Sequence, residues 1–533
     1  MATRTVLAWD LGTSGAKAGI VTLEGDVLGS EFEPVELLLS PGGGAEQRPN
    51  DWWRALCTAT ERLLARELVA RSTIAAIGVT SQWSGTVALD AAGKPLMNAI
   101  IWMDSRGSSH VRRLSGGFPE AAGYALPKLW RWVRLTGGAP GHSGKDPVAH
   151  IAWLRAMRPE LYAHVDKFLE PKDYLTFLLT GRMAATFDSI ALHWVTDNRN
   201  ANRIHYDDSL LRLAGLQRSQ LPELVTAPSV LGPISGAHAE RFGLARDVVV
   251  TASAPDVHTA AIGAGTTQNF ATHLYIGTSA WLASHVPKKK TDIAHNMASL
   301  PSAIPGRYLL MNEQETAGAC LTHVRDKLFF ADDELSVGAA PADFFQAFDR
   351  VAGRSPAGSR KLMFLPWLYG ERTPVEDRAL RGAFFNYSLE HERSDVARAV
   401  LEGVALNLRW LFEHVQGFCG KSVDELRFIG GGADSALWSQ ILADVLGCRL
   451  LKVSAPRLSN LRGAAFIAFV GLGDLDFDSV AERVRIERPF EPQTAHRQLY
   501  QQLFGEFQEL HRKSRGVFHR LNAGATETGV GAA

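Results

Sequence analysis

The sequence predicts an α/β protein with at least two domains. Short apolar segments typical of strands alternate with amphipathic segments typical of helices along most of the chain. The length of 533 residues exceeds what one domain of about 100–200 residues usually holds. A strand followed by Gly-Thr-Ser occurs twice, at residues 10–14 and 275–279, which suggests two related halves, although segments this short also recur by chance.

Composition excludes several classes of protein. Lys and Arg together number 56, as do Asp and Glu, and 46% of residues are hydrophobic. A disordered chain is excluded because such chains lack apolar residues. A dedicated nucleic-acid binder is disfavoured because phosphate contacts require a basic excess, although a local anion pocket stays open. No CxxC spacing links the cysteines, so we expect reduced thiols at Cys57, Cys320, Cys419 and Cys448.

The chain shows no membrane signal. Its first ten residues contain no apolar region of the length found in signal peptides. The apolar stretch Ala464–Leu472 is about half of what a membrane span needs. We therefore expect a cytoplasmic protein without a membrane partner. The Gly/Ala/Thr-rich end of the chain predicts a flexible tail over residues 516–533.

Local patterns predict individual elements in the first half. Val6–Trp9 leads through a Gly-rich turn into Ala18–Leu23, which predicts a hairpin. Asn50 or Asp51 is expected to cap the next helix. Ile74–Thr80 has the length and composition of a short buried strand.

The second half shows the same alternation of predicted strands and helices. Leu274–Ile276 predicts a strand, and Ser394–Val415 predicts a helix capped by its first serine. Leu426–Ile429 predicts a strand that runs into three glycines. A helix is expected over Ala436–Leu446.

The first Gly-Thr-Ser turn has groups that bind phosphate. Its backbone N–H groups and the hydroxyls of Thr13 and Ser14 are donors, Lys17 can neutralise phosphate charge, and Asp10 can hold a hydrated Mg²⁺. One such turn alone is more often an ordinary hairpin. The second turn, with Gly277 and Thr278, alters that balance, because two turns facing across a cleft can hold a polyphosphate from both sides.

The glycines at 430–432 lie between a predicted strand and a predicted helix. Glycines leave room for a flat ring on the backbone, and a helix N-terminus offers donors. The run matches neither GxGxxG nor a P-loop. A nucleotide site here therefore requires another fold.

Asp256 lies after the predicted strand Val248–Ala252, where a helix is expected to begin. From local sequence alone a helix cap is the favoured interpretation. The alternative is a general base that takes a proton from a substrate hydroxyl. His258 is expected to be structural.

Two further segments combine aromatic rings with polar groups, as sugar sites do. They contribute Gln82, Trp83 and Ser84, and then Trp102, Asp104 and Arg106. The alternative, with the tryptophans in the core and Asp104–Arg106 as a surface pair, has about equal weight.

Taken together, these motifs resemble the FGGY carbohydrate kinases, closest to the xylulokinase-like branch, from about residue 5 to about residue 480. The segments that carry the resemblance appear in the expected order: AWDLGTSGAKAGI, EQRPNDWW, IIWMDSRG, FLEPKDYLTFLLTG, FLPWLYGERTPVEDRALRGAFF, DVARAVLEGVALNL and FIGGGADSALWSQILADVLG. The resemblance implies two ribonuclease-H-like domains of the actin/hexokinase ATPase type, over 1–262 and 263–515, with a cleft between them. It implies sugar mainly on the first domain and ATP mainly on the second.

The resemblance also implies residue roles. Asp256 matches the catalytic base, which replaces the cap interpretation, and Asp10 matches the acidic residue near Mg²⁺. Positions that match the phosphate and adenosine contacts are Thr13, Ser14, Lys17, Gly277, Thr278, Gly318, Thr322, Gly431, Gly432 and Ser435. Relatives often form homodimers, so a homodimer is a further expectation.

Two departures from the family pattern fall in the sugar pocket. SQWSG stands where xylulokinases carry a stretch like GQMHG, so Trp83 and Ser84 replace Met and His. Val257 follows the matched Asp256, where the family often has an amide. These departures put xylulose in doubt and leave the kinase chemistry intact.

The sequence therefore predicts ATP-dependent phosphorylation of a primary hydroxyl of a small sugar or polyol, with a ketopentose such as xylulose as the first candidate. One alternative is an ATPase of the same superfamily that drives a conformational or assembly cycle without a sugar. Another is a degenerate binding protein without catalysis.

Overall fold

The computed structural model describes residues 4–336 and 338–523, which form two α/β halves, each built on one mixed sheet. The first sheet has the strand order Val230–Pro233, Val249–Thr251, Ile74–Ser81, Thr5–Leu11, Gly15–Thr22, Val27–Pro34. The second has the order Thr291–Asp292, Met297–Pro301, Tyr308–Met311, Ala280–Val286, Thr272–Ile276, Glu425–Ile429, Arg449–Val453, Ile486–Phe490.

The two sheets repeat one topology. Thr5–Leu11 pairs antiparallel with the strand that follows it and parallel with Ile74–Ser81. Thr272–Ile276 likewise pairs antiparallel with its successor and parallel with Glu425–Ile429. The recurrence of Gly-Thr-Ser therefore reflects a repeated hairpin at the start of each sheet.

Helices cover both sheets. In the first half they are Pro49–Ala65, Ser108–Ser115, Leu126–Thr136, Pro147–Met157, Pro159–Tyr162, Pro171–Thr180, Asp208–Ala214, Gly236–Phe242 and Asp256–Gly263. In the second they are Gly318–Val324, Phe344–Ala352, Arg393–Cys419, Ala436–Leu446, Ser459–Gly471, Val480–Arg483 and Arg497–Leu521.

Small ribbons complete the fold. The strands Leu38–Ser40, Gly44–Gln47 and Ala99–Ile100 form one three-stranded sheet. The two-stranded ribbons are Val87–Leu89 with Lys167–Leu169, Glu120–Ala121 with Tyr124–Ala125, Ala184–Thr186 with Glu223–Val225, Thr196–Asp197 with His205–Tyr206, and Met363–Leu365 with Ala383–Phe385.

Two predicted helix caps were wrong. The first helix begins at Pro49 after Arg48, and proline is favoured there because an N–H at the first helical position has no intrahelical partner. The long helix begins at Arg393, and the carboxylate of Asp395 accepts the backbone N–H of Glu392 at 2.9 Å. Ser394 therefore lies inside the first turn.

The expected tail began too early. The helix Arg497–Leu521 includes residues 516–521, and its buried residues Tyr500, Leu503 and Phe504 lie in its first half. Just beyond the helix, the Asn522 Nδ2 donates to the carbonyl of Ala379 at 3.0 Å. Residues 524–533 lie outside the described part of the chain. The four cysteines are free, as predicted. No helix in the described part is both long and apolar enough to cross a membrane.

One helix joins the halves. Ser459–Gly471 follows the second sheet in sequence, yet its Phe466 and Phe469 are buried against Val6 and Ala8 of the first sheet. A Cβ atom on Gly463 would lie 1.9 Å from the carbonyl oxygen of Thr259. Glycine is therefore required where this helix crosses Asp256–Gly263, and the two backbones touch at the boundary between the halves.

Candidate functional site

Asp256 lies at the junction of the two halves. It is the first residue of the helix Asp256–Gly263, and Pro255 holds the N-cap position. The Asp256 Oδ1 accepts the N–H of its neighbour Val257 at 2.8 Å, and no other N–H of the first turn. Asp256 is therefore not the N-cap that local sequence favoured, and its second oxygen is available for a ligand.

Charge gathers around Asp256. Burial, followed by the Asp10 carboxylate, raises the pKa of Asp256 to about 7, with Glu313 adding to the rise and Lys17 opposing it. Asp10 is 4% exposed and pairs with the Lys17 ammonium at 3.0 Å. Asp10 in turn raises the pKa of Lys17. The structure thus brings together three of the predicted residues, Asp10, Lys17 and Asp256.

A hydrogen-bond chain links the first turn to the expected sugar side. The Trp102 Nε1 donates to the Thr13 Oγ1 at 2.8 Å, and that hydroxyl donates to the Gln82 Oε1 at 3.0 Å. The Gln82 Nε2 donates to the Gln47 Oε1 at 2.7 Å. The Thr13 hydroxyl proton is therefore already engaged, whereas Ser14 is exposed. We did not identify Gln47 from the sequence, although it lies in EQRPNDWW.

Asp104 and Arg106 bind each other. The Arg106 Nε donates to Asp104 at 2.8 Å and its Nη2 pairs with Glu46 at 2.6 Å. Asp104, 1% exposed, also accepts the N–H of Ala45 at 2.9 Å. The two side chains form the pair of the alternative interpretation, but not on the surface as expected, because Arg106 is only 16% exposed. The pair holds the strand Gly44–Gln47 and hence the Gln47 side chain.

Trp83 lies mostly in the core. It is 7% exposed, packs edge-on against His258 with ring centroids 5.2 Å apart, and donates to the carbonyl of Ser189 at 3.0 Å. Burial lowers the pKa of His258 to about 3, in keeping with the structural role expected of it. Ser84 has φ +65° and its hydroxyl donates to the carbonyl of Lys145 at 2.9 Å.

The second Gly-Thr-Ser turn is braced by the helix Gly318–Val324. The Thr278 carbonyl accepts the N–H groups of Ala317 at 2.9 Å and Ala319 at 3.1 Å. A Cβ on Gly318 would lie 2.3 Å from the Gly277 carbonyl oxygen, so the close contact requires glycine. The Thr278 hydroxyl is exposed and has no hydrogen-bond partner within the described residues. Thr322, half-buried, lies on the bracing helix.

The glycine run packs against the end of the strand Thr272–Ile276. Gly430 has φ +87°, and a Cβ there would lie 2.4 Å from the Ile276 carbonyl oxygen. A Cβ on Gly432 would lie 2.7 Å from the Ile276 Cβ. Gly431 is more open, with the Arg457 guanidinium as its nearest neighbour at 3.5 Å. Ser435 caps the next helix by accepting the Trp438 N–H at 2.9 Å.

Sequence reasoning also missed a charge cluster on the second half. The Arg372 guanidinium pairs with Glu313 and, at 2.8 Å, with Glu315. These carboxylates hold the pKa of Arg372 above its usual value despite burial. The available signal was that Arg372 lies in GERTP, a segment that carries the resemblance without an assigned role.

Comparison with known proteins places both halves in one family. The model described as the FGGY family of carbohydrate kinases, N-terminal domain, matches residues 5–263, and its C-terminal counterpart matches residues 273–472. The chain is 27% identical over 524 residues to a xylulose kinase of Staphylococcus epidermidis, covering 97% of this chain and 98% of the relative. It is 28% identical over 526 residues to the L-xylulose/3-keto-L-gulonate kinase of Escherichia coli, covering 97% and 98%. The crystal structure of a xylulose kinase from Rhodospirillum rubrum superposes with a TM-score of 0.81, at 25% identity, covering 97% of this chain and 100% of that one.

Proposed function

Because this chain belongs to the FGGY family of carbohydrate kinases, we propose that it transfers the γ-phosphoryl group of ATP to a primary hydroxyl of a small sugar or polyol, with Asp256 as the base. One observation carries the proposal. Asp256 begins a helix at the junction of the halves, beside Asp10 and Lys17, with a pKa of about 7. An acceptor whose pKa lies near working pH is suited to take a hydroxyl proton.

The Asp256 carboxylate is oriented to receive the proton of the substrate hydroxyl. Its Oδ1 is held by the Val257 N–H, so the carboxylate is fixed in orientation and Oδ2 is left for the substrate hydroxyl. The hydroxyl oxygen then attacks the γ-phosphorus as its proton passes to Oδ2, while the bond from that phosphorus to the β,γ-bridging oxygen breaks and ADP leaves. Phosphoryl transfer has a loose transition state, so orientation and electrostatics supply most of the rate.

Mg²⁺ fits the carboxylates present. Asp10 is buried, and its charge raises the pKa of Asp256, a repulsion that a cation between them would relieve. Mg²⁺ is commonly held by one or two protein carboxylates together with water and substrate phosphates, and the described residues offer no larger cluster. Asp10 and Asp256 would hold the ion, and when bound it would neutralise phosphate charge.

The phosphates lie between the two turns in this proposal. Thr278 supplies a free hydroxyl and Gly277 a backbone approach, while Ser14, Lys17 and the backbone of Thr13 meet them from the first half. Adenosine lies on the second half, against Gly431 and near Gly318, Thr322, Gly432 and Ser435. Residues 1–262 thus bind mainly sugar and residues 263–515 mainly nucleotide. The sugar contacts are Gln82 and Trp102, with Trp83 and Ser84 shaping the pocket and Asp104 and Arg106 holding its wall.

A ketopentose such as xylulose is the reference substrate. The names of the Staphylococcus epidermidis and Rhodospirillum rubrum relatives support it. The Escherichia coli relative is named for both L-xylulose and 3-keto-L-gulonate. An ATPase without a sugar lacks support, because both matched models are carbohydrate kinases. We extend the proposal to a cytoplasmic homodimer, to be checked by sedimentation and fractionation.

The test is a coupled ADP-release assay over ketoses, polyols and sugar acids with Mg²⁺ and ATP. We expect ADP release to depend on sugar and to fall by roughly 10²-fold or more in Asp256→Asn. Release at the same rate without sugar would overturn the proposal.

A further inference from the structure

Lys145 places an unpaired positive charge beside the sugar pocket. Its ammonium nitrogen lies 5.6 Å from the centroid of the Trp102 ring, and its carbonyl accepts the Ser84 hydroxyl at 2.9 Å. These two contacts tie Lys145 to both pocket segments found in the sequence. Among the described residues, no carboxylate lies within 4.0 Å of the ammonium and no hydrogen bond reaches it.

The nearest carboxylates are already committed. Glu313 and Glu315 face Lys145 from the second half, and both pair with Arg372. Burial, and then the nearby Arg372 charge, lower the pKa of Lys145. Lys145 is half-buried, and a charge that is partly withdrawn from water without a partner carries an energetic cost, so we expect this ammonium to have a ligand.

We propose that Lys145 binds the carboxylate of a sugar acid, at the end of the substrate remote from the hydroxyl that is phosphorylated. This rests on the proposed sugar kinase function and narrows its substrate class. The pocket then accepts a neutral ketopentose but binds an acid of similar length more tightly.

The position of Trp102 orders the substrate. Its Nε1 donates to Thr13 in the first turn, and its ring lies 5.6 Å from the Lys145 ammonium nitrogen, so Trp102 links the phosphate side of the site to Lys145. A substrate with its hydroxyl at Asp256 and its chain over Trp102 therefore has its far end within reach of Lys145.

A carboxylate suits the ammonium better than the alternatives. A neutral hydroxyl leaves the half-buried charge of Lys145 uncompensated. A phosphate dianion carries about twice the charge of a carboxylate, so Glu313 and Glu315, which act on Lys145, would repel it more strongly. One negative charge matches one ammonium, which has no carboxylate partner among the described residues, and Trp102 supplies a flat face for the carbon chain.

The experiment compares D-xylulose and xylitol with D-xylonate and D-gluconate in wild type, Lys145→Met, Lys145→Arg and the exposed control Lys94→Met. We expect a lower KM for an acid than for either neutral compound in wild type. Loss of the charged hydrogen bond to the acid should raise the acid KM in Lys145→Met by roughly 10-fold or more. The kcat for the acid and the KM for neutral sugars should change by less than about threefold, the acid KM should partly recover in Lys145→Arg, and Lys94→Met should match wild type.

Equal losses for acids and neutral sugars in Lys145→Met, or a wild-type preference for neutral sugars, would overturn the assignment. Absence of turnover with every compound would instead contradict the proposed function. In that case a thermal-shift measurement tests acid binding without turnover. An acid should raise the Tm of wild type but not of Lys145→Met, and no shift with either acid would refute the inference.

Discussion

The two hairpins that begin the two sheets share a fold and differ in chemistry. Asp10 pairs in register with Lys17 across the first hairpin, and Tyr275 pairs with Trp281 at the same place in the second. The first pair is an ion pair of 3.0 Å, and the second is a stack with ring centroids 3.7 Å apart. The same backbone hairpin thus supplies a phosphate turn in each half. The paired position beside the turn carries charged residues only in the first half, so proton and cation chemistry belong to that half.

The same division holds one residue beyond the parallel strand of each sheet. That residue is Gln82 in the first half, where its side chain joins the Thr13 network. It is Gly430 in the second half, where only glycine fits against Ile276. The first half therefore presents polar side chains, and the second presents backbone.

The sharpest test of this division is Asp256→Asn. The amide keeps the shape and cannot accept the proton, so kcat should fall roughly 10²–10⁴-fold, the range that general-base removal gives. ATP affinity, measured by calorimetry without Mg²⁺, should stay within about threefold because the nucleotide lies on the other half. A near wild-type rate would remove Asp256 from the mechanism.

The next largest effect is a difference between Thr278 and Thr13 in which substrate's KM changes. The Thr278 hydroxyl is free, so Thr278→Val should raise the KM for ATP by roughly 10- to 100-fold, the value of a hydrogen bond to a charged group. Thr13→Val is the matched variant in the first turn. It should raise the KM for sugar instead, because its hydroxyl joins Trp102 to Gln82. Identical kinetic profiles would contradict the contrast between the turns.

Packing of the second turn can be tested by stability. Gly430→Ala combines φ +87° with a backbone collision at 2.4 Å and should lower the free energy of unfolding by roughly 1–3 kcal/mol. Gly420→Ala is the control, since φ is +65° there and nothing lies within 4 Å of the added Cβ. Denaturant titration should show the larger loss at Gly430. Equal losses would show that the contact with Ile276 carries no energy.

The smallest effect concerns pH. The raised pKa of Asp256 means that the folded protein keeps this proton up to about pH 7, whereas the unfolded chain releases it near pH 3.9. The protonated Asp256 therefore contributes its full stability below about pH 3.9, and this contribution is lost as pH rises toward 7. Asp256→Asn should raise the Tm of the metal-free protein by a few degrees at pH 8 and by less at pH 5. A constant difference would indicate an ordinary pKa.

Sequence patterns predicted most of the framework because the elements follow local rules. The helix Ala436–Leu446 has its predicted bounds, since Ser435 caps it by a short-range bond. The helix caps predicted at Asn50 and Ser394 were wrong. In both cases a residue two positions earlier, Arg48 or Glu392, holds the cap position, and spacing alone does not choose between them.

The site was harder to predict because its partners are remote in sequence. Asp104 and Arg106 satisfied the pattern of a sugar site, yet Glu46 and Ala45, about 60 residues earlier, engage them. Glu313 and Lys145 carry no local motif, and their role depends on how the two halves meet. The sequence thus indicated which side chains belong to the site, whereas only the structure shows which of them are free to bind a ligand.

The helix Ser459–Gly471 bears on how the chain folds as it is made. It covers the face of the first sheet that carries Val6 and Ala8, yet it leaves the ribosome about 200 residues after that sheet is complete. At about 5–20 residues per second, this apolar face waits roughly 10–40 s for its cover. We therefore expect the first half to complete its core only when this helix docks, and the two halves of the finished protein to unfold together.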